Sequence, residues 1–250
     1  MFSKTLDIFD IIYYSKYMSF VIVPQKRLVF APPLSPCFDR VVDLCDCLVP
    51  QPPQVIGFCP AIDVSFTEVG CLSYPRHPVL EDGIVFEENL RPLERVLSMG
   101  LNYVFSQVSS LDGLTCSIFT EQSIVLPGQP QRRIPSQTRI HIDQLYGDLS
   151  QADGNAKTRS DVWEGFVMWS NTLPTEFYPQ VYDLSKCQSK DDMRREVENL
   201  ALGSAVTFPS GSVTFHTGAL PHRSALNMSG KPVIRTWFMM IFSRKMEPTP

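Results

Sequence analysis

Residues 211–245 read GSVTFHTGALPHRSALNMSGKPVIRTWFMMIFSRK, and most of the architectural information in the chain is concentrated there. A β-branched and aromatic run carrying His216 breaks at a Gly/Pro turn before His222. A short second strand follows, NMSGKP turns the chain back, and a last strand carries Arg235. Similar runs lie upstream: NYVFSQVSS, CSIFTEQSIVL, TRIHIDQL, WEGFVMWSN and AVTFPSGSVTFHTG, each bounded by Gly, Pro, Asn or Ser. Strands so spaced predict a sandwich or barrel.

Two helices are expected outside it. Leu90, Leu93, Val96, Leu97 and Leu101 recur at helical spacing, giving a helix over about 88–104 that packs a face onto the sheet. SKDDMRREVENLAL starts with Ser189 as N-cap and should bury Met193, Val197 and Leu200. The first sixty residues hold FAPPLSPC and VPQPPQ, which predict extended segments and turns around a short helix near FDRVVDLCDCL. At 250 residues one domain suffices, residues 1–85 forming a proline-rich extension with lid and support elements and 86–250 the helix-supported core.

Composition excludes several functional classes. With 44% hydrophobic and 19% charged residues the chain has enough apolar material for a packed core. A net charge of -4 and no basic cluster longer than Arg132-Arg133 or Arg194-Arg195 argue against a nucleic-acid partner. Asp7, Asp10 and Lys16 interrupt the apolar N-terminus before the roughly 20 residues of a membrane span, and no secretory cleavage pattern follows. Seven cysteines without framework spacing fit a reduced, cytoplasmic protein, and Cys45 and Cys47 are too close for a zinc clamp.

In TRIHIDQL the alternation of a strand sends Ile140 and Ile142 one way and Arg139, His141 and Asp143 the other. An imidazole and a carboxylate then share a face, an arrangement suited to two adjacent metal positions, although the tripeptide alone is a weak motif that also arises by chance on an ordinary strand. A third ligand is needed. His222 lies 79 residues after Asp143, and Arg235 lies 13 after His222.

This order, H-x-D, a long gap, His, then Arg, resembles the iron(II) and 2-oxoglutarate dependent dioxygenases over about residues 135–245. LPHRSALNMSGKPVIRTWF in particular resembles the segment that carries the distal His and the cosubstrate Arg of that superfamily. The resemblance implies a double-stranded β-helix, the jelly roll of cupin-like proteins. It implies iron ligands at His141, Asp143 and His222, and a 2-oxoglutarate anchor at Arg235, with Arg139 lining the same pocket. Two imidazoles and one carboxylate leave positions on Fe(II) for the 2-oxo acid and O2. An arginine grips the far carboxylate with paired hydrogen bonds that lysine does not reproduce. The implied activity is oxidation, by default hydroxylation, of a small molecule such as an amino acid or a natural-product intermediate. Many members place Ser two residues after the Arg; here that place holds Trp237, and Thr236 faces away.

Other residues have plainer readings. His216 is the alternative distal ligand, or else a satisfied, half-buried imidazole. Arg223 should point away from the metal, Asn227 should form a turn, and His77 should be a loop residue. Trp163, Trp169, Phe177 and Tyr178 belong to the core more readily than to a pocket wall. The rival functions are a non-catalytic cupin-like binding module and a zinc hydrolase using the same His and Asp set.

Overall fold

The computed structural model describes residues 19–22, 47–48, 50–60, 62, 70–73, 77–79, 83–108, 111–131, 140–142, 162–187, 190–201, 205–218 and 220–245. The described chain is mainly β with two α-helices. The strands are β1 (Ser19–Ile22), β2 (Cys47–Leu48), β3 (Gln54–Phe58), β4 (Gly70–Ser73), β5 (His77–Pro78), β6 (Ile84–Glu87), β7 (Thr115–Val125), β8 (Val162–Ser170), β9 (Glu176–Phe177), β10 (Tyr182–Asp183), β11 (Ser212–Thr217), β12 (His222–Arg223) and β13 (Val233–Lys245). The helices are α1 (Glu94–Gln107) and α2 (Lys190–Ala201). No helix among the described residues is long and apolar enough to cross a membrane.

One antiparallel sheet of seven strands dominates, in the order β3-β11-β8-β13-β7-β4 with β5 also on β7. Side chains alternate across it. Phe238, Met240 and Phe242 of β13, Val167 and Trp169 of β8, and Val213 and Phe215 of β11 all join one core with Val96, Leu97, Leu101 and Val104 of α1. Each large apolar side chain buried there contributes roughly 1.5–3 kcal/mol. Gly100 lets α1 approach closely, because a Cβ there would lie 2.9 Å from the Met240 sulfur and 3.1 Å from a Val167 methyl.

The leucine spacing located α1 well, with Leu90, Leu93, Val96, Leu97 and Leu101 all buried. Pro92 falls in the 3-10 turn Glu88–Leu93 that leads into α1. The helix runs further than expected, however, so residues 102–107 of NYVFSQVSS are helical rather than a strand. Val104 and Phe105 continue the 3.6-residue face of Leu97 and Leu101, which overrides their β propensity. In α2 Val197 is buried as expected, but Leu200 is 44% exposed and Ala201 takes the inward place. His77 lies in a short strand against Cys116 rather than in a loop. The expected helix near residues 38–48 lies outside the described residues except for Cys47–Leu48, which is a strand paired with β10.

A second, smaller layer is built from short pairings. His141 bridges His222, β12 pairs β9, and Phe177 bridges Val206, giving the order 141, 222, 177, 206. Ile140 and Ile142 are buried with Tyr178, Tyr182, Leu184, Val197 and Ala201, so α2 covers their side of this layer.

Candidate metal and cosubstrate site

His141 and His222 are held on neighbouring strands by reciprocal backbone hydrogen bonds, each amide donating to the other's carbonyl at 2.9 Å. Their rings lie side by side in a tilted contact, with centroids 4.3 Å apart and planes at 55°. His222 is 5% exposed. Its Nδ1 lies 2.9 Å from the Leu220 carbonyl, which only accepts, so Nδ1 is the donor and, in the neutral ring, Nε2 is the nitrogen with the lone pair. A ligand imidazole is commonly fixed in this way by its outer nitrogen. The alternation read from TRIHIDQL is borne out where it is described: Ile140 and Ile142 pack toward α2 while His141 meets His222.

Asp143 and Arg139 lie outside the described residues, so their places relative to the two imidazoles are not part of the described geometry. Among the described residues no three His, Cys, Asp or Glu side chains form a metal-holding group.

Arg235 is 2% exposed, on the face of β13 opposite Phe238 and Met240. Its Nη1 donates to Gln131 Oε1 and its Nε donates to the Thr172 carbonyl at 3.2 Å. Its Nη2 is buried and has no hydrogen-bond partner, and neither have Gln131 Nε2 and the hydroxyl of Ser123, the cross-strand neighbour of Arg235. Burial lowers the Arg235 pKa to about 10, with Glu121 acting in the opposite direction. Each unmatched buried group costs about 1–3 kcal/mol, more when charged, so the cluster is built to receive an acceptor. A carboxylate is the acceptor that matches a guanidinium beside an amide N–H and a hydroxyl.

Sequence reasoning missed Gln131. It is placed by pairings that no local pattern announces: Pro130 bridges Leu226, and Asn227 exchanges backbone bonds with Gly128 and Gln129. Asn227, 1% exposed, does form the turn, its amide donating to the Val125 and Lys231 carbonyls while its Oδ1 accepts from Ser229. Thr236, on the other face, accepts a 3.0 Å bond from Gln122. Arg223 donates to Glu176 at 2.6 Å and lies over the Tyr178 ring, tying β12 to β9. Trp169, Phe177 and Tyr178 are core residues, and Phe177 also meets the His216 and His222 rings.

His216 corrects the expectation of a satisfied, half-buried imidazole. It is 2% exposed, and neither ring nitrogen has a partner. Its ring stacks on Phe166 at 5.2 Å and meets Phe177 and His222 edge-on, both at 5.1 Å. Burial, then His222 and His141, holds it well below the usual histidine pKa.

No protein-family model matches the chain, and no curated protein matches it. Among solved structures it resembles EvdO2 from Micromonospora carbonacea var. aurantiaca, at 15% identity over 56% of this chain and 58% of that one, with a TM-score of 0.35. A second EvdO2 structure, complexed with 2-oxoglutarate, matches at 13% identity over 78% of this chain and 97% of that one, with a TM-score of 0.37. The chain thus spans a little over half of the first structure and nearly all of the second. A likeness of this depth fixes neither topology nor activity.

Proposed function

We propose that the chain is an Fe(II)/2-oxoglutarate-dependent oxygenase of jelly-roll form acting on a small molecule. In this reading His141, Asp143 and His222 hold the iron, and Arg235 holds the far carboxylate of 2-oxoglutarate. The observation that carries it is the close, tilted pairing of the His141 and His222 rings, two imidazoles far apart in sequence and locked strand to strand. The unmatched Nη2 of Arg235 supports the cosubstrate end, with Gln131 and Ser123 beside it as further donors. The four-place order 141, 222, 177, 206 contacts β8, β11 and β13 of the large sheet through Phe177 and His222, which supports a two-layer jelly roll.

When bound, iron and 2-oxoglutarate would activate O2, the oxidant, with 2-oxoglutarate oxidised to succinate and CO2. The chain's own contributions are separate from that chemistry. The Leu220 carbonyl selects the tautomer of neutral His222 in which Nε2 has the lone pair. The layer pairing fixes the two rings relative to each other, and the dry surroundings of Arg235 strengthen its hold on a carboxylate. Arg139 is assigned to the same pocket on its place two residues before His141.

The deciding experiment is anaerobic addition of Fe(II) and 2-oxoglutarate. A weak visible charge-transfer band that bleaches with O2, and succinate formed in step, are expected. Absence of both band and succinate would sink the reading. Zinc in the active protein would point to a hydrolase, and metal binding without oxygen uptake to a non-catalytic module.

A further inference from the structure

Resting on that reading, we infer that Asn227 is a positioning residue of the cosubstrate end: by fastening the turn after β7 to the turn before β13, it aims Gln131 at the Arg235 guanidinium. Asn227 acts through Gln131 and contacts neither cosubstrate nor metal in this account.

Three observations carry it. The first is what the regular structure leaves undone. β7 and β13 pair in register from Val125 and Val233 to Thr115 and Ser243, so the ladder alone sets Ser123 against Arg235. Gln131 lies beyond the last rung, past a tight turn in which the Gln129 N–H donates to the Leu126 carbonyl and Gly128 has a φ of 71°. The second is how many points one buried side chain joins. Asn227 is 1% exposed. Its Nδ2 donates to the Val125 carbonyl at the end of β7, at 2.8 Å, and to the Lys231 carbonyl ahead of β13, at 2.7 Å. Its backbone N–H donates to the Gln129 carbonyl at 3.0 Å and its own carbonyl accepts from Gly128 at 2.8 Å, next to the bridge between Pro130 and Leu226. Both side-chain acceptors are carbonyls, so the place needs two donors on one short side chain, which a primary amide supplies.

The third is what the fastened segment does next. Gln131 is 5% exposed, and its Oε1 accepts from Arg235 Nη1 while Arg235 Nη2 and Gln131 Nε2 stay buried without partners. A guanidinium held by a second side chain keeps its remaining N–H groups in one direction, and that direction is inherited from the turn that Asn227 holds. The metal end is fastened separately, by the bonds between His141 and His222 and by the Leu220 carbonyl. Substituting Asn227 should therefore loosen one end and spare the other.

The test titrates the full chain calorimetrically with glutarate, which has the far carboxylate but no 2-oxo group, and separately with Zn(II). Glutarate affinity should fall about three- to ten-fold in Asn227→Ala, with Zn(II) affinity within about two-fold. Ser229→Ala removes an exposed hydroxyl that donates to Asn227 Oδ1, and should weaken glutarate about two- to three-fold even if Asn227→Ala does not fold. In a Gln131→Leu background, Asn227→Ala should cost less than about two-fold, because the route is already cut. Equal losses for glutarate and Zn(II), unchanged glutarate affinity in Asn227→Ala and Ser229→Ala, or full additivity with Gln131→Leu overturns the proposal. So does an unsubstituted chain that binds no glutarate. If glutarate follows the expected pattern but the Fe(II) and 2-oxoglutarate band and succinate are absent, the oxygenase reading falls and the Asn227 assignment stands. If band and succinate are present but Asn227 makes no difference to glutarate, the reverse holds.

Discussion

Phe238, Met240 and Phe242 on one face of β13, and Arg235, Trp237 and Met239 on the other, alternate along one strand, and only the second face mixes an apolar cluster with buried polar groups. The helix side is a closed apolar core in which buried side chains meet other apolar side chains. The site side holds Arg235, Gln131, Ser123 and His216, each with a buried polar atom lacking a partner. The first face supplies stability and the second gives up part of it to keep donors and acceptors available. That division lets the same backbone support and serve the site.

Substitutions on the two faces should therefore have different effects. Phe242→Ala, on the helix side, should cost about 3–5 kcal/mol in urea unfolding, with succinate formation per folded molecule little altered. If activity per folded molecule fell in proportion, the two faces would not be separable. His222→Ala, on the site side, should do the reverse: turnover down about 100-fold or more with metal affinity, at modest loss of stability. Asp143→Ala should match it, and an Asp143→Ala protein with full turnover would remove that residue from the ligand set.

Arg235 gives a smaller effect in each measurement. Arg235→Lys should raise the 2-oxoglutarate concentration for half-maximal turnover about ten-fold or more. Arg235→Met should leave the cosubstrate-free protein as stable or about 1 kcal/mol more stable, since a buried, partly unmatched charge is gone. 2-Oxoglutarate should then raise the melting temperature of the unsubstituted protein but not of Arg235→Met. The smallest expected effect is acid sensitivity. His216 has a folded pKa below its unfolded value, so under acid the unfolded chain binds more protons and stability falls. In metal-free protein this loss begins as the pH drops through about 6.5 and reaches about 1 kcal/mol near pH 5.5. His216→Phe should show less of it.

What could be read in the sequence was whatever depends on near neighbours. The leucine spacing of α1, the strands around Phe119, Val167 and Met239, and the split of Ile140 and Ile142 from His141 all follow from local periodicity. The strand assigned to NYVFSQVSS failed because Tyr103, Val104 and Phe105 suit either state, and only packing against the sheet selects helix. Leu200 and Ala201 exchanged places because a small residue fits where α2 lies close to the Ile140 and Tyr182 cluster. Among the candidate site residues, His222 and Arg235 were singled out by their order along the chain. Gln131 was not, since its role depends on a contact with Arg235 104 residues away. His216 was visible as a histidine but not as an unmatched one, because a missing partner is a property of the folded neighbourhood.

The reciprocal bonds between His141 and His222 have a consequence for assembly. These positions are 81 apart in sequence, so their meeting closes a long loop whose entropy is lost before any local gain repays it. A metal gripped by both rings would act as a clasp across that loop, tightening the small layer as it binds. Metal capture and completion of folding would then be one event, and the rate of heat inactivation should follow the concentration of free metal.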